Sequence, residues 1–82
     1  MKIQVLLFGP LSAELGRSSV ELELSSDPPT GADVRRALAE AEPGIAPLLP
    51  SHRFARNHEI VSDDEPLAAG DEVALIGMVS GG

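Results

Sequence analysis

Apolar and polar residues alternate at the start of the chain. Ile3, Val5 and Leu7 share one face of a predicted strand, and Lys2, Gln4, Leu6 and Phe8 share the other. The polar start of the second set turns it outward, so Leu6 and Phe8 are apolar groups on the solvent side. Gly9-Pro10 stops this strand. Residues 11–15 predict a helical turn closed by Gly16 as a C-terminal cap. Residues 19–24 alternate more cleanly, with Val20, Leu22 and Leu24 inward and Glu21 and Glu23 toward water.

Ser25-Ser26-Asp27-Pro28-Pro29 predicts a loop, because consecutive prolines support neither a ladder nor a helix interior. Thr30 reads as an N-cap with Asp33 three residues on, a capping box with Asp in place of Glu. Val34, Ala37, Leu38 and Ala41 then fall at i, i+3, i+4 and i+7, one apolar stripe, with Arg35, Arg36, Glu40 and Glu42 off it. Glu42-Pro43-Gly44 ends the helix. Residues 45–51 contain Pro47 and Pro50 and predict a loop anchored by Ile45, Leu48 and Leu49. Residues 53–56 predict a short strand, Asn57-His58 a turn, and residues 59–61 the returning strand. Asp63-Asp64-Glu65-Pro66 predicts a solvated turn, and residues 66–69 one helical turn. From Glu72 comes the last strand, with Val73 and Leu75 on one face and Ala74, Ile76 and Met78 on the other. A strand apolar on both faces belongs in the middle of a sheet.

The predicted order is strand, strand, helix, strand, strand, strand. One main helix packed on one face of a mixed sheet of about five strands is an α+β layering. A right-handed crossover through the helix sets the first and last strands parallel and adjacent. That is the β-grasp, or ubiquitin-like, arrangement. It is expected over residues 1–78, followed by a flexible Gly-Gly tail over residues 79–82.

With 82 residues the chain makes one domain with a small core, and 43% apolar residues suffice for a globular fold. No cysteine is present, which removes disulfides, thiol nucleophiles and thiolate metal sites and fits a reducing cytoplasm. The 13 acids against 6 bases, net charge −7, argue against nucleic acid as a partner. Phe8 and Phe54 are the only aromatic rings of their kind, so no stacking platform for bases exists. No apolar run approaches a membrane span and no signal peptide opens the chain, so a cytoplasmic domain with protein partners is expected.

Candidate chemistry narrows to Val79-Ser80-Gly81-Gly82. Glycine lacks a Cβ, so a Gly-Gly segment is thin enough for a narrow channel, and the last six residues, 77–82, reach roughly 20 Å when extended. A fraying terminus is the bland alternative. His52 and His58 have no third ligand at hand and read as surface histidines. Asp63, Asp64, Glu65, Asp71 and Glu72 lack the calcium-loop spacing; they read as a solvated acidic turn or as a group that steers a basic partner. Ser12 and Ser80 have no histidine or carboxylate at triad spacing. Leu6, Phe8, Ile76 and Met78 form a candidate docking patch, since an exposed apolar patch of this kind marks an interface.

Nearly the whole chain resembles the small subunit of molybdopterin synthase, a family of sulfur carriers. The resemblance rests on Val5-Leu6-Leu7-Phe8-Gly9 with Leu11-Ser12-Ala13-Glu14-Leu15-Gly16, on Thr30, Val34 and Leu38 of the helix, and on Asn57. It continues through Pro66-Leu67, Gly70-Asp71-Glu72-Val73-Ala74 and Val79-Ser80-Gly81-Gly82. Ser12 and Ala13 stand where the family commonly has Arg, and Gly77-Met78 where it often has Pro-Pro. The resemblance implies a non-catalytic subunit whose C-terminal Gly82 is adenylated by an activating enzyme of the ubiquitin-activating type and converted by a sulfur donor to a thiocarboxylate. Val79, Ser80 and Gly81 then enter the large synthase subunit, in a hetero-oligomer expected to be a heterotetramer, where the sulfur goes to a cyclic pyranopterin. The chain itself is expected to bind no cofactor or metal. It lacks a phosphate-cradling loop, so ATP belongs to the activating partner.

Three other functions fit the same residues: a sulfur carrier for thiamine thiazole synthesis, a ubiquitin-like modifier joined to lysines through Gly82, and a plain interaction module.

Overall fold

The computed structural model describes residues 1–77; Met78 and the tail segment 79–82 lie outside the described residues. The strands are β1 (Lys2–Leu7), β2 (Ser19–Glu23), β3 (His52–Arg56), β4 (Glu59–Ile60) and β5 (Val73–Gly77). The α-helices are α1 (Pro10–Leu15) and α2 (Gly31–Ala41), and a 3₁₀ segment runs over Pro43–Ser51.

The sheet order is β2-β1-β5-β3-β4. β1 and β2 are antiparallel, joined through α1, whereas β1 and β5 are parallel, with Leu6 opposite Ala74. This is the β-grasp arrangement, and the apolar last strand lies inside the sheet between β1 and β3. One sheet face and the helices enclose a core that includes Val5, Leu7, Leu22, Phe54, Val73 and Leu75 from the strands, Leu11 from α1 and Val34 and Leu38 from α2.

The local expectations fare unequally. Gly16 caps α1 in the left-handed region at φ 68°, its N–H donating to the Ser12 carbonyl. The capping box of α2 forms, with the Thr30 N–H donating to Asp33 Oδ2 at 2.9 Å. Gly31, the first helical residue, lies so close to β3 that an added Cβ would meet Phe54 Cδ2 at 2.7 Å. Asn57 and His58 both have positive φ, 51° and 72°, which suits a two-residue hairpin turn.

Other expectations need correction. Val34 and Leu38 are buried, but Ala41, the last residue of α2, is exposed. The proline-bearing stretch is not an irregular loop but the 3₁₀ segment, with Ile45 and Leu49 buried beneath it. Residues 66–69 form no helical turn: Pro66 bridges Thr30, and the Leu67 N–H donates to the Pro29 carbonyl, so Leu67 is drawn into the core as extended chain.

Arg35, expected on the wet side of α2, is half-buried. Its Nη1 donates to the Leu49 carbonyl at 2.7 Å, its Nη2 to the His52 carbonyl, and its Nε pairs with Asp63 Oδ2 at 2.8 Å. One guanidinium thus ties α2 to the 3₁₀ segment, to the start of β3 and to the acidic turn.

Candidate functional site

The sheet face away from the core carries the candidate docking residues. Cross-strand register aligns Ser19, Leu6, Ala74, Ala55 and Ile60 in one row, with Ile76 opposite Arg53 in the next. Leu6 and Ile76 are half-buried, and Phe8, just past the end of β1, is half exposed. These three come together as expected; Met78 lies outside the described residues. Ala55 and Ala74 are nearly covered, being short side chains screened by taller neighbours. A shallow concavity therefore opens at the alanine pair, walled by Leu6, Phe8 and Ile76 and bounded by His58 and Glu72.

The sequence reading left Ala55, Ala74, His58 and Glu72 out of this patch. Ala74 was recoverable from strand parity, since it shares a face with Ile76. The polar pair was not, because the hairpin turn brings it there. Asn57 is the tie: its N–H donates to the Glu72 carbonyl at 2.7 Å, its Oδ1 accepts the Glu72 N–H at 2.9 Å, and its Nδ2 donates to Asp71 Oδ1 at 3.1 Å. Asp71 Oδ2 in turn accepts the Ala68 N–H at 2.8 Å. The Ala68 bond above all, then the Asn57 amide, holds the Asp71 carboxyl below the usual aspartate range. This network sets His58 Nε2 3.1 Å from Glu72 Oε1.

The other acids are individually engaged rather than pooled. Asp63 pairs with Arg35 and Glu65 with Arg56, while Asp64 is exposed. Among the described residues no group of three or more His, Cys, Asp or Glu side chains could hold a metal ion. No helix among them is long and apolar enough to cross a membrane.

His52 is the clearest departure from expectation. It is not a surface histidine but is 3% exposed, seated between the 3₁₀ segment and β5. Its Nδ1 lies 2.9 Å from the Leu48 carbonyl, which can only accept, so Nδ1 is the donor in this bond. Nε2 is buried with no hydrogen-bond partner among the described residues. It faces Gly77, where a Cβ would stand 3.1 Å away. His52 and Gly77 are also paired in the β3–β5 register, so this contact lies at the root of the segment that carries Gly81 and Gly82.

A five-stranded mixed sheet with parallel, adjacent first and last strands defines the ubiquitin-like β-grasp class. The ThiS family model matches residues 5–82, and the chain belongs to the ThiS family. The chain is 31% identical to the molybdopterin synthase sulfur carrier subunit of Dictyostelium discoideum over 83 aligned positions, 99% of this chain and 96% of that one. Small archaeal modifier protein 1 of Haloferax volcanii superposes with a TM-score of 0.84 at 27% identity, over 95% of this chain and 98% of that one. Subunit 1 or 2 in the protein–protein complex of the molybdopterin-converting factor of Helicobacter pylori matches with a TM-score of 0.71 at 23% identity, covering both chains fully; at that identity the likeness concerns the fold.

Proposed function

We propose that this protein is the sulfur carrier of a molybdopterin synthase. Gly82 is adenylated by an ATP-using activating enzyme, converted to a thiocarboxylate, and carried with Val79, Ser80 and Gly81 into the large subunit. There its sulfur passes to cyclic pyranopterin. The observation that carries the reading is the alignment with the Dictyostelium sulfur carrier subunit along 99% of this chain, together with a family match that extends through residue 82.

The chemistry is consistent. A terminal carboxylate, with a pKa of about 3.3–3.7, is ionised and unreactive toward nucleophiles at neutral pH, so activation must precede sulfur transfer. Glycine presents the least hindered acyl carbon for that step. The domain supplies the grip: Leu6, Phe8 and Ile76 dock on the large subunit and on the activating enzyme, and the tail follows β5 in the chain.

The test is pull-down with the chain as bait against the cognate large synthase subunit and thiazole synthase. Retention of the large subunit, lost in Leu6→Asp, supports the proposal. Retention of thiazole synthase alone moves the assignment to thiamine thiazole synthesis. The archaeal modifier likeness raises a second reading, attachment of Gly82 to lysines, and adducts that survive denaturation and reduction would support it.

A further inference from the structure

The concavity on the docking face has a mixed lining that selects its occupant. Ala55 and Ala74 make the floor, Leu6, Phe8 and Ile76 the apolar walls, and Glu72 with His58 the polar rim. A purely apolar side chain entering it would strip water from the Glu72 carboxylate without replacing the lost hydrogen bonds, which is costly. An anionic group would meet Glu72 and a chain of net charge −7. A cation with an aliphatic stem satisfies both parts, the stem against the alanine floor and the charge at Glu72.

Arginine suits this place better than lysine. Its planar guanidinium stacks on an aromatic face, here the half-exposed ring of Phe8, and forks onto a carboxylate. His58 holds Glu72 at 3.1 Å, but its side chain is 80% exposed, so the incoming group displaces it at little cost. Resting on the proposed docking role of this face, we infer that the concavity is a socket for one arginine side chain of the large subunit, anchored by Glu72. The Asn57 and Asp71 network keeps the rim in place.

The experiment measures affinity of the full chain for the cognate large subunit across a salt series, for the native chain, Glu72→Gln, Glu72→Lys, Leu6→Asp and the remote control Glu40→Gln. Thermal unfolding checks that each variant is folded. Glu72→Gln is expected to weaken binding roughly tenfold and flatten the salt dependence, with Glu72→Lys weaker still and Glu40→Gln close to native. One large-subunit arginine should be protected from phenylglyoxal by the native chain and exposed with Glu72→Gln. Loss of binding in Leu6→Asp with no effect of either Glu72 variant overturns the arginine socket and leaves the docking face standing. No effect of Leu6→Asp fails the docking reading itself. A Glu72-dependent dimer of the free chain in sedimentation would put this chain's own arginine in the socket and also overturn the inference.

Discussion

The Nε2 atom of His52 lies 3.1 Å from where a Cβ on Gly77 would stand, so any side chain at the last residue of β5 would press on a buried imidazole. In the native background, Gly77→Ala is expected to cost about 1 kcal/mol through overpacking. With His52→Ala already present, the same change should instead gain roughly 0.5 kcal/mol, because alanine loses less backbone freedom than glycine in a strand. A double-mutant cycle from urea unfolding reads the sign change; equal effects in the two backgrounds would show that the contact does not matter.

A second close approach fixes α2 on the sheet. Gly31→Ala would place a methyl 2.7 Å from Cδ2 of the buried Phe54 ring. The expected loss is about 1–3 kcal/mol. Gly44 has open space around it, so Gly44→Ala should stay within about 0.5 kcal/mol of native. Thermal unfolding of the two variants side by side separates steric conflict from the general effect of replacing glycine.

Arg35 satisfies two carbonyls and Asp63 with one planar fork. Lysine has a single ammonium group and cannot reproduce that geometry. Arg35→Lys is therefore expected to cost about 2 kcal/mol despite keeping the charge, from the bonds lost at a half-buried site. Near-native unfolding of Arg35→Lys would mean that charge alone suffices.

Acid stability should follow Asp33 and Asp71. The Thr30 N–H above all holds the Asp33 carboxyl below its usual range, with Arg36 assisting and desolvation opposing. The Ala68 N–H and then Asn57 do the same for Asp71. Both folded values lie below the unfolded one of about 3.9, so the unfolded chain binds more protons between them and stability rises with pH there. The contribution is complete above the unfolded value and is lost as pH falls through the folded values. Unfolding free energies measured from about pH 5 down to about pH 1 should show a shallower acid decline in Asp33→Asn with Asp71→Asn than in the native chain.

Much of this fold was legible from side-chain period. Alternation in β1 and β2, the Thr30–Asp33 box and the apolar last strand were enough to set β5 beside and parallel to β1 inside the sheet, but not to place β3 on its other side. Features set by contacts distant in sequence were not legible. Arg35 lies off the apolar stripe of α2 by spacing, and only the 3₁₀ segment folding against the helix supplies the carbonyls that draw it in. His52 reads as polar and exposed until β5 and the 3₁₀ segment close over it. The site divides the same way: Leu6, Phe8 and Ile76 follow from parity, whereas Glu72 and His58 reach the patch through a turn fixed by Asn57.

The central claim concerns Gly82, and intact mass spectrometry addresses it most directly. The chain is incubated with its cognate adenylating enzyme, ATP and a sulfur donor, beside a variant lacking Gly82. The account predicts a gain equal to one oxygen-to-sulfur exchange in the native chain and none in the truncated one. An unchanged native mass, with the partners shown to be active on another carrier, would contradict it.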